Sequence, residues 1–181
     1  LFRSLDSMPK NELSIDAWIY LDGMVPGEFE PIFSRVNAQA PPTGYVFSVR
    51  DGKLSLYLGG IIQHGEWTGN NSVPRNEWVH VAVVSTRYST ANYGVKFYIN
   101  GVEESPFDFP ALPVSPIAPL ANARIGSSQL NPLVDSTEYF FDGKIDEVEV
   151  FNRPLDISEI QGLYNAGPCG KCKINCHVEW D

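Results

Sequence analysis

Two short turns restrict what this chain can become. Asp51-Gly52 and Asn100-Gly101 each lie between two runs rich in alternating apolar residues. A two-residue loop of this kind needs positive φ at both positions, which Asn, Asp and Gly tolerate, and it joins antiparallel neighbours. The runs themselves repeat with a period of two. Leu13, Ile15, Ala17, Ile19 and Leu21 share one face of a strand, while Ser14, Asp16, Trp18 and Tyr20 share the other. Residues 31–36, 45–50, 53–58, 94–99, 102–104 and 123–127 are predicted as further strands. In 77–86, Val79, Val81 and Val83 oppose Trp78, His80, Ala82 and Val84. Both faces are apolar, which predicts a strand in the middle of a sheet. Trp18 and Trp78 are expected in the core, and His80 as a hydrogen-bonded core histidine.

The stretch 141–160 organises the remainder. Gly143 opens a strand in which Ile145, Glu147, Glu149 and Phe151 are predicted on one face, with Asp146, Val148 and Val150 on the other. Asn152-Arg153-Pro154 stops it, because Pro cannot donate to a ladder. Asp156 then starts a helix, with Glu159 three residues later to complete a capping box. Gly167-Pro168 ends that helix. Residues 59–75 are predicted as a turn-rich loop around Trp67, and 128–138 as a polar loop. Residues 105–121 carry Pro106, Pro110, Pro113, Pro116 and Pro119, so they cannot form a central strand and are expected to cross the surface. Many short strands, two hairpins and one terminal helix point to an all-β fold, an antiparallel two-sheet sandwich.

At 181 residues one domain is the natural expectation, and the apolar content of 43% suits a packed core. A net charge of −9 argues against nucleic acid and anionic membranes as partners, since both need Lys and Arg to neutralise phosphate. No apolar run approaches the roughly 20 residues of a membrane-inserted span. The chain has no initiator Met and no basic leader, so it is read as a mature fragment.

Seven pieces then line up in order. They are Leu13-Ser14-Ile15-Asp16-Ala17-Trp18-Ile19, Ile32-Phe33-Ser34-Arg35, Asp51-Gly52-Lys53-Leu54, Trp78-Val79-His80-Val81-Ala82, Val95-Lys96-Phe97-Tyr98-Ile99-Asn100-Gly101, Arg124-Ile125-Gly126-Ser127, and the closing stretch from Phe141 to Tyr164. Over most of the chain this series resembles the laminin-G-like, concanavalin A-like jelly rolls. The resemblance implies a jelly-roll sandwich over 1–167 and a cysteine-rich tail or linker over 168–181. Family members usually carry one or two more strands before the position of Phe2. The module is therefore expected to lack its first strand or strands, or to borrow that edge from another segment or chain. The resemblance also implies a non-catalytic, secreted or cell-surface module (the periplasm is a variant of the same setting). Such a module is part of a larger protein, serves carbohydrate binding or cell adhesion, and frequently carries calcium. Fold alone does not give function.

Candidate residues follow from chemistry. Sugars stack on exposed aromatic rings, and Trp67, Tyr45 and Tyr93 are the expected platforms, with Tyr88 beside them. Glu147 and Glu149 share a face at i and i+2, a spacing that could serve a glycan hydrolase or line a binding surface. A third acid on that face is absent, since 145 is Ile and 151 is Phe. In similar laminin-G-like sequences a basic or neutral residue often stands at position 149, which argues against obligatory chemistry there. Calcium needs six to eight oxygens, and Asp16, Asp142 and Asp146 are the expected ligands, with Asp22 and Asp135 as loop candidates.

The tail packs Cys169, Cys172, Cys176 and His177 into nine positions. One disulfide would leave one Cys over, for another chain or segment. A zinc site could use all four residues. Cys172 to His177 reads C-x-x-x-C-H, one residue longer than the usual covalent haem motif, with His177 as axial ligand. The last two readings would make the domain a structural or docking unit of a redox or metal protein. A plain linker is the fourth reading.

Overall fold

A computed structural model of the chain describes residues 12–23, 29–37, 43–59, 64–87, 93–104, 122–129 and 138–168. The strands are β1 (Leu13–Leu21), β2 (Phe29–Asn37), β3 (Thr43–Arg50), β4 (Lys53–Gly59), β5 (His64–Ser72), β6 (Trp78–Arg87), β7 (Tyr93–Ile99), β8 (Val102–Glu104), β9 (Arg124–Ile125), β10 (Ser127–Ser128), β11 (Tyr139–Phe140) and β12 (Gly143–Phe151). One helix, α1 (Ile157–Ala166), follows. Among the described residues the strands form two five-stranded sheets, ordered β12-β1-β6-β7-β8 and β5-β4-β3-β2-β9, with β10 and β11 as a separate short pair. Every strand pair is antiparallel, as the two hairpins require. Asp51 and Gly52 have φ of 49° and 76°, and Asn100 and Gly101 have 51° and 72°, the paired positive values of such a turn.

The inner faces close on one core. Leu13, Ile15, Ala17, Ile19 and Leu21 of β1 meet Val79, Val81 and Val83 of β6 and, from the other sheet, Tyr45, Phe47, Leu54, Leu56 and Leu58. The predicted faces of β1 and β6 are those observed, and β6 is the middle strand of its sheet. Two partly buried ion pairs lie along the sandwich rim. Arg75 holds Glu30 at 2.7 Å and donates to the carbonyl of Asp22, and Arg50 holds Glu66 at 2.8 Å.

Two expectations are corrected. Residues 64–72 are not a loop but β5, paired with β4 through Ser55–Thr68, Leu56–Trp67 and Tyr57–Glu66. The face assignment of β12 also changes at one point. The β1–β12 register slips between Asp16 and Trp18, and Glu147 takes φ of 50°. This is a β-bulge, with one extra residue on β12 in a left-handed conformation. It resets the alternation, so Ile145, Val148 and Val150 all pack on the core. Asp146 accepts the Glu147 N–H at 2.8 Å, which caps the bulge locally.

The helix is built as its sequence predicts. Asp156 Oδ1 accepts the N–H groups of Ser158 and Glu159 at 2.8 and 2.9 Å, and Glu159 returns the bond to the Asp156 N–H at 3.0 Å. Its apolar side lies on the outer face of the β1-containing sheet. There Leu155 and Ile160 pack on Ala82, Val84 and Tyr98, with Phe151 and Leu163 at the margin. Ser14 ties the joint by donating to the Arg153 carbonyl and accepting from the Leu155 N–H, both at 2.9 Å.

Candidate functional site

That outer face carries the polar chemistry. Its cross-strand rows are set by register. Asp16 stands between Glu149 and Ala82, Trp18 between Asp146 and His80, and Tyr20 between Lys144 and Trp78. The helix covers the first rows only. Its last turn carries Tyr164, which stacks on Trp18 with ring centroids 5.9 Å apart and planes 23° apart. Between this turn and the bulged strand lies a pocket of about 120 Å³, lined by Asp16, Trp18, Glu147, Glu149, Leu163, Ala166 and Gly167. The bulge matters here. It brings Glu147 onto the same side as Glu149, which regular alternation after Ile145 would also have done, but with the core-facing pattern shifted by one.

Among the described residues the pocket lining is acidic and has no basic side chain. Asp16 is 3% exposed. Its Oδ2 lies 3.5 Å from His80 Nε2, and its Oδ1 makes no hydrogen bond. Burial pushes the Asp16 carboxyl above its ordinary value of 3.8; the His80 contact opposes this, and the charges of Glu149 and Glu147 add to it. His80 is fully buried, as expected, but neither ring nitrogen makes a hydrogen bond, so it is not the hydrogen-bonded histidine predicted. Its ring is held by Trp18, edge-on at 5.5 Å, and by Tyr164 at 6.0 Å.

An aromatic ledge lies one row beyond the helix. Tyr20 and Trp78 meet edge to face, with centroids 6.0 Å apart and planes at 68°. Trp78 is 38% exposed, and Lys144 Nζ sits 5.0 Å from the Tyr20 ring centre. Trp78 was expected in the core. It is exposed because it opens β6, where the sheet runs past the end of the helix. Its pairing with Tyr20, the next-to-last residue of β1, was the sequence signal: both flank a strand end.

The predicted stacking platforms lie elsewhere. Trp67 is 4% exposed and Tyr45 is fully buried, both within the main core, so neither offers a ring face to a ligand. Tyr45 is inward because it opposes Leu58 in the sheet and stacks on Phe33 at 6.1 Å. Tyr93 begins β7, and its side chain lies outside the described residues, as do Tyr88, Asp135, the 105–121 segment, Cys169, Cys172, Cys176 and His177. Glu147 and Glu149 do share one pocket, and Asp16 joins them. Asp142 and Asp146 do not; both are exposed, and the Asp142 carbonyl accepts the Asp22 N–H near the β12 start. Among the described residues no three His, Cys, Asp or Glu side chains are grouped to hold a metal ion. No described helix is long and apolar enough to cross a membrane.

Known proteins agree with this architecture. No curated protein matches the chain by sequence. Among solved structures, the CBM40 module of the Ruminococcus gnavus IT-sialidase, bound to α2,3-sialyllactose, is similar with a TM-score of 0.67 and 15% identity over 86% of this chain and 84% of that one. A heptameric SAP-like pentraxin from Limulus polyphemus matches with a TM-score of 0.61 and 16% identity, over 90% of this chain and 74% of that one. The receptor-binding domain of botulinum neurotoxin type G matches at 0.61 and 15% identity over 86% of this chain, which spans only 38% of that domain. At these identities the likeness is one of fold. The family model of laminin G type covers residues 2–161, and the chain belongs to the concanavalin A-like lectin/glucanases superfamily.

Proposed function

We propose that the chain is a non-catalytic carbohydrate-recognition module of a larger extracellular protein, and that it binds on the helix-bearing sheet. The observation that carries this is the exposed Trp78, set against Tyr20 on the same face as the carboxylate pocket. A sugar ring offers an apolar C–H face to an aromatic ledge and hydroxyl donors to carboxylates, and here both lie on one face of the same sheet. The similar CBM40 module, bound to sialyllactose, and the similar domain 4 of the arabinanase AbnA, bound to arabinotriose, support a sugar as ligand.

Binding is favoured over hydrolysis by size. Hydrolysis needs two carboxyl groups flanking a glycosidic bond, with a sugar unit on each side. Small-molecule sites usually enclose about 300–1,000 Å³. At about 120 Å³, the pocket around Glu147 and Glu149 falls below that range and does not span a sugar unit on each side of a bond.

Isothermal titration calorimetry of the chain against neutral oligosaccharides tests the reading. Saturable binding that weakens by about fivefold in Trp78→Ala supports it, in line with the roughly 1 kcal/mol of an aromatic contact. Absence of binding to every sugar, or equal binding by the variant, would overturn it.

A further inference from the structure

The aromatic ledge has a cation beside it. Lys144, Tyr20 and Trp78 stand in one cross-strand row on β12, β1 and β6. Elsewhere in the fold Arg50, Arg75, Lys96, Arg124 and Arg153 each hold a carboxylate. Lys144 is exposed and holds none among the described residues, although the chain carries 22 acids against 13 Lys and Arg. Asp142 and Asp146 flank it two positions away on either side, and Asp146 instead accepts the Glu147 N–H. The Lys144 ammonium turns across to β1 and sits over the Tyr20 ring. A surface lysine is usually no more than a solvated charge, but this one is placed by an aromatic contact at the edge of an exposed indole.

The Lys144 Nζ is 5.0 Å from the Tyr20 ring centre, and the Trp78 ring centre is 6.0 Å from that same point. Ammonium and indole therefore border one small area of the sheet. With Lys144 over the Tyr20 ring, Trp78 is the ring left open to a ligand. The turn before Trp78 is fixed to the end of β1, where the Asn76 N–H donates to the Leu21 carbonyl at 2.9 Å and Arg75 donates to the Asp22 carbonyl at 2.7 Å. The stacking ring is thus held in place before a ligand arrives.

A sugar stacked on Trp78 turns its rim towards Lys144. An ammonium brings three donors and a positive charge. A hydroxyl oxygen accepts one hydrogen bond and leaves the charge unanswered, whereas a carboxylate or sulfate oxygen answers both. Asp142 and Asp146 are exposed, where water and salt screen their repulsion of an anion. Asp16 and Glu149 stand two rows away, beyond Trp18, so an anionic group is admitted at the Lys144 end of the site and repelled at the other. We infer that the ledge takes a sugar ring with one anionic group on its exocyclic carbon, a uronic acid or a 6-sulfate, with Trp78 under the ring and Lys144 at the anion. This rests on the carbohydrate reading above and makes it more specific.

Calorimetry at about pH 7, where lysine and carboxylates are both charged, compares disaccharides of the gluco and galacto series as the neutral parent, the form with one uronic acid, its methyl ester and the 6-sulfate. An exposed charge pair predicts a preference of about threefold to fivefold for an anionic form over the neutral parent at low salt, shrinking as salt is added. The larger preference names the group, and the methyl ester should bind no better than the parent. In Lys144→Gln the anionic and neutral forms should bind alike, and in Lys144→Arg the preference should persist. Equal affinity of anionic and neutral forms for the parent protein, or a preference that survives in Lys144→Gln, overturns the inference and leaves carbohydrate recognition standing. Absence of binding to every form overturns both.

Discussion

Asp16 of β1 and Glu149 of β12 stand directly opposite one another across an antiparallel strand pair, and both line the same pocket. Like charges in that relationship oppose folding. Asp16 is almost wholly withdrawn from water, with His80 Nε2 3.5 Å from its Oδ2. A fold selected for stability alone would place a neutral or basic residue at one of the two positions.

The cost is measurable through pH. Burial holds the Asp16 pKa above 3.8 in the folded chain, so the fold prefers the protonated carboxyl. The stability linked to this group is fully present below 3.8 and is lost as pH rises through its folded value. Asp16→Asn removes the charge that is unwelcome at neutral pH. It is expected to raise the thermal midpoint there by about 2–4 °C, with the gain shrinking in acid. Scanning calorimetry of both proteins across pH checks this. A variant that is less stable at neutral pH than in acid, relative to the parent, would show that the His80 contact outweighs desolvation.

The four tryptophans should separate cleanly at two positions. Trp67→Ala removes a ring packed in the main core and is expected to cost about 3–5 kcal/mol in urea unfolding. Trp78→Ala removes a partly exposed ring at a strand end and is expected to cost less than about 1.5 kcal/mol, while weakening sugar binding. The reverse pattern would return the stacking role to Trp67.

Much of this fold was readable because its signals are local. Alternation in β1 and β6, positive-φ pairs at Asp51-Gly52 and Asn100-Gly101, and the Asp156/Glu159 box each depend on neighbours within a few residues. Strand β5 was not readable. Gly65, Gly69, Asn70 and Asn71 look like turn residues, yet two of the glycines serve close packing. A Cβ on Gly65 would lie 2.7 Å from the Trp67 ring, and one on Gly69 would lie 2.3 Å from Glu104 Oε1. The second contact exists only once β8 is in place. The bulge at Glu147 was hidden for a similar reason, since a Glu in the left-handed region carries no sequence mark. The pair Glu147/Glu149 was found from spacing. Its third member, Asp16, was linked in advance to the wrong acids, because cross-strand register is a tertiary property.

The helix cap gives a second pH prediction, of opposite sign. A hydrogen bond from the Ser158 hydroxyl, with the backbone N–H groups of Glu159 and Ser158, holds the Asp156 carboxyl below its usual 3.8. Hydrogen bonding from Arg153 holds Glu159 below 4.5. Groups depressed in the fold contribute stability that is present above their ordinary values and lost as pH falls through the lowered ones. Amide exchange in α1 should therefore accelerate in acid relative to the strands, after correction for intrinsic rates. Asp156→Ala should show the faster exchange already at neutral pH and lose the acid-dependent change.

Gly143 provides the sharpest mutational test of the site's scaffold. It opens β12 with φ of 144°, opposite Leu21, and a Cβ there would come within 2.0 Å of the Tyr20 carbonyl oxygen. That atom is backbone and cannot swing aside. Gly143→Ala must push β12 away from β1 at the end where Tyr20 faces Lys144 and Trp78. The substitution is expected to destabilise the chain by about 2 kcal/mol or more, through combined steric and backbone strain. In protein that remains folded, it should also disturb the aromatic ledge before the core. Tryptophan fluorescence should report a changed environment for exposed indole, and sugar affinity should fall, while the amide protection of β3 and β4 persists. Equal loss of protection in β3 and β4 would show instead that the β1–β12 edge and the opposite sheet unfold as one unit.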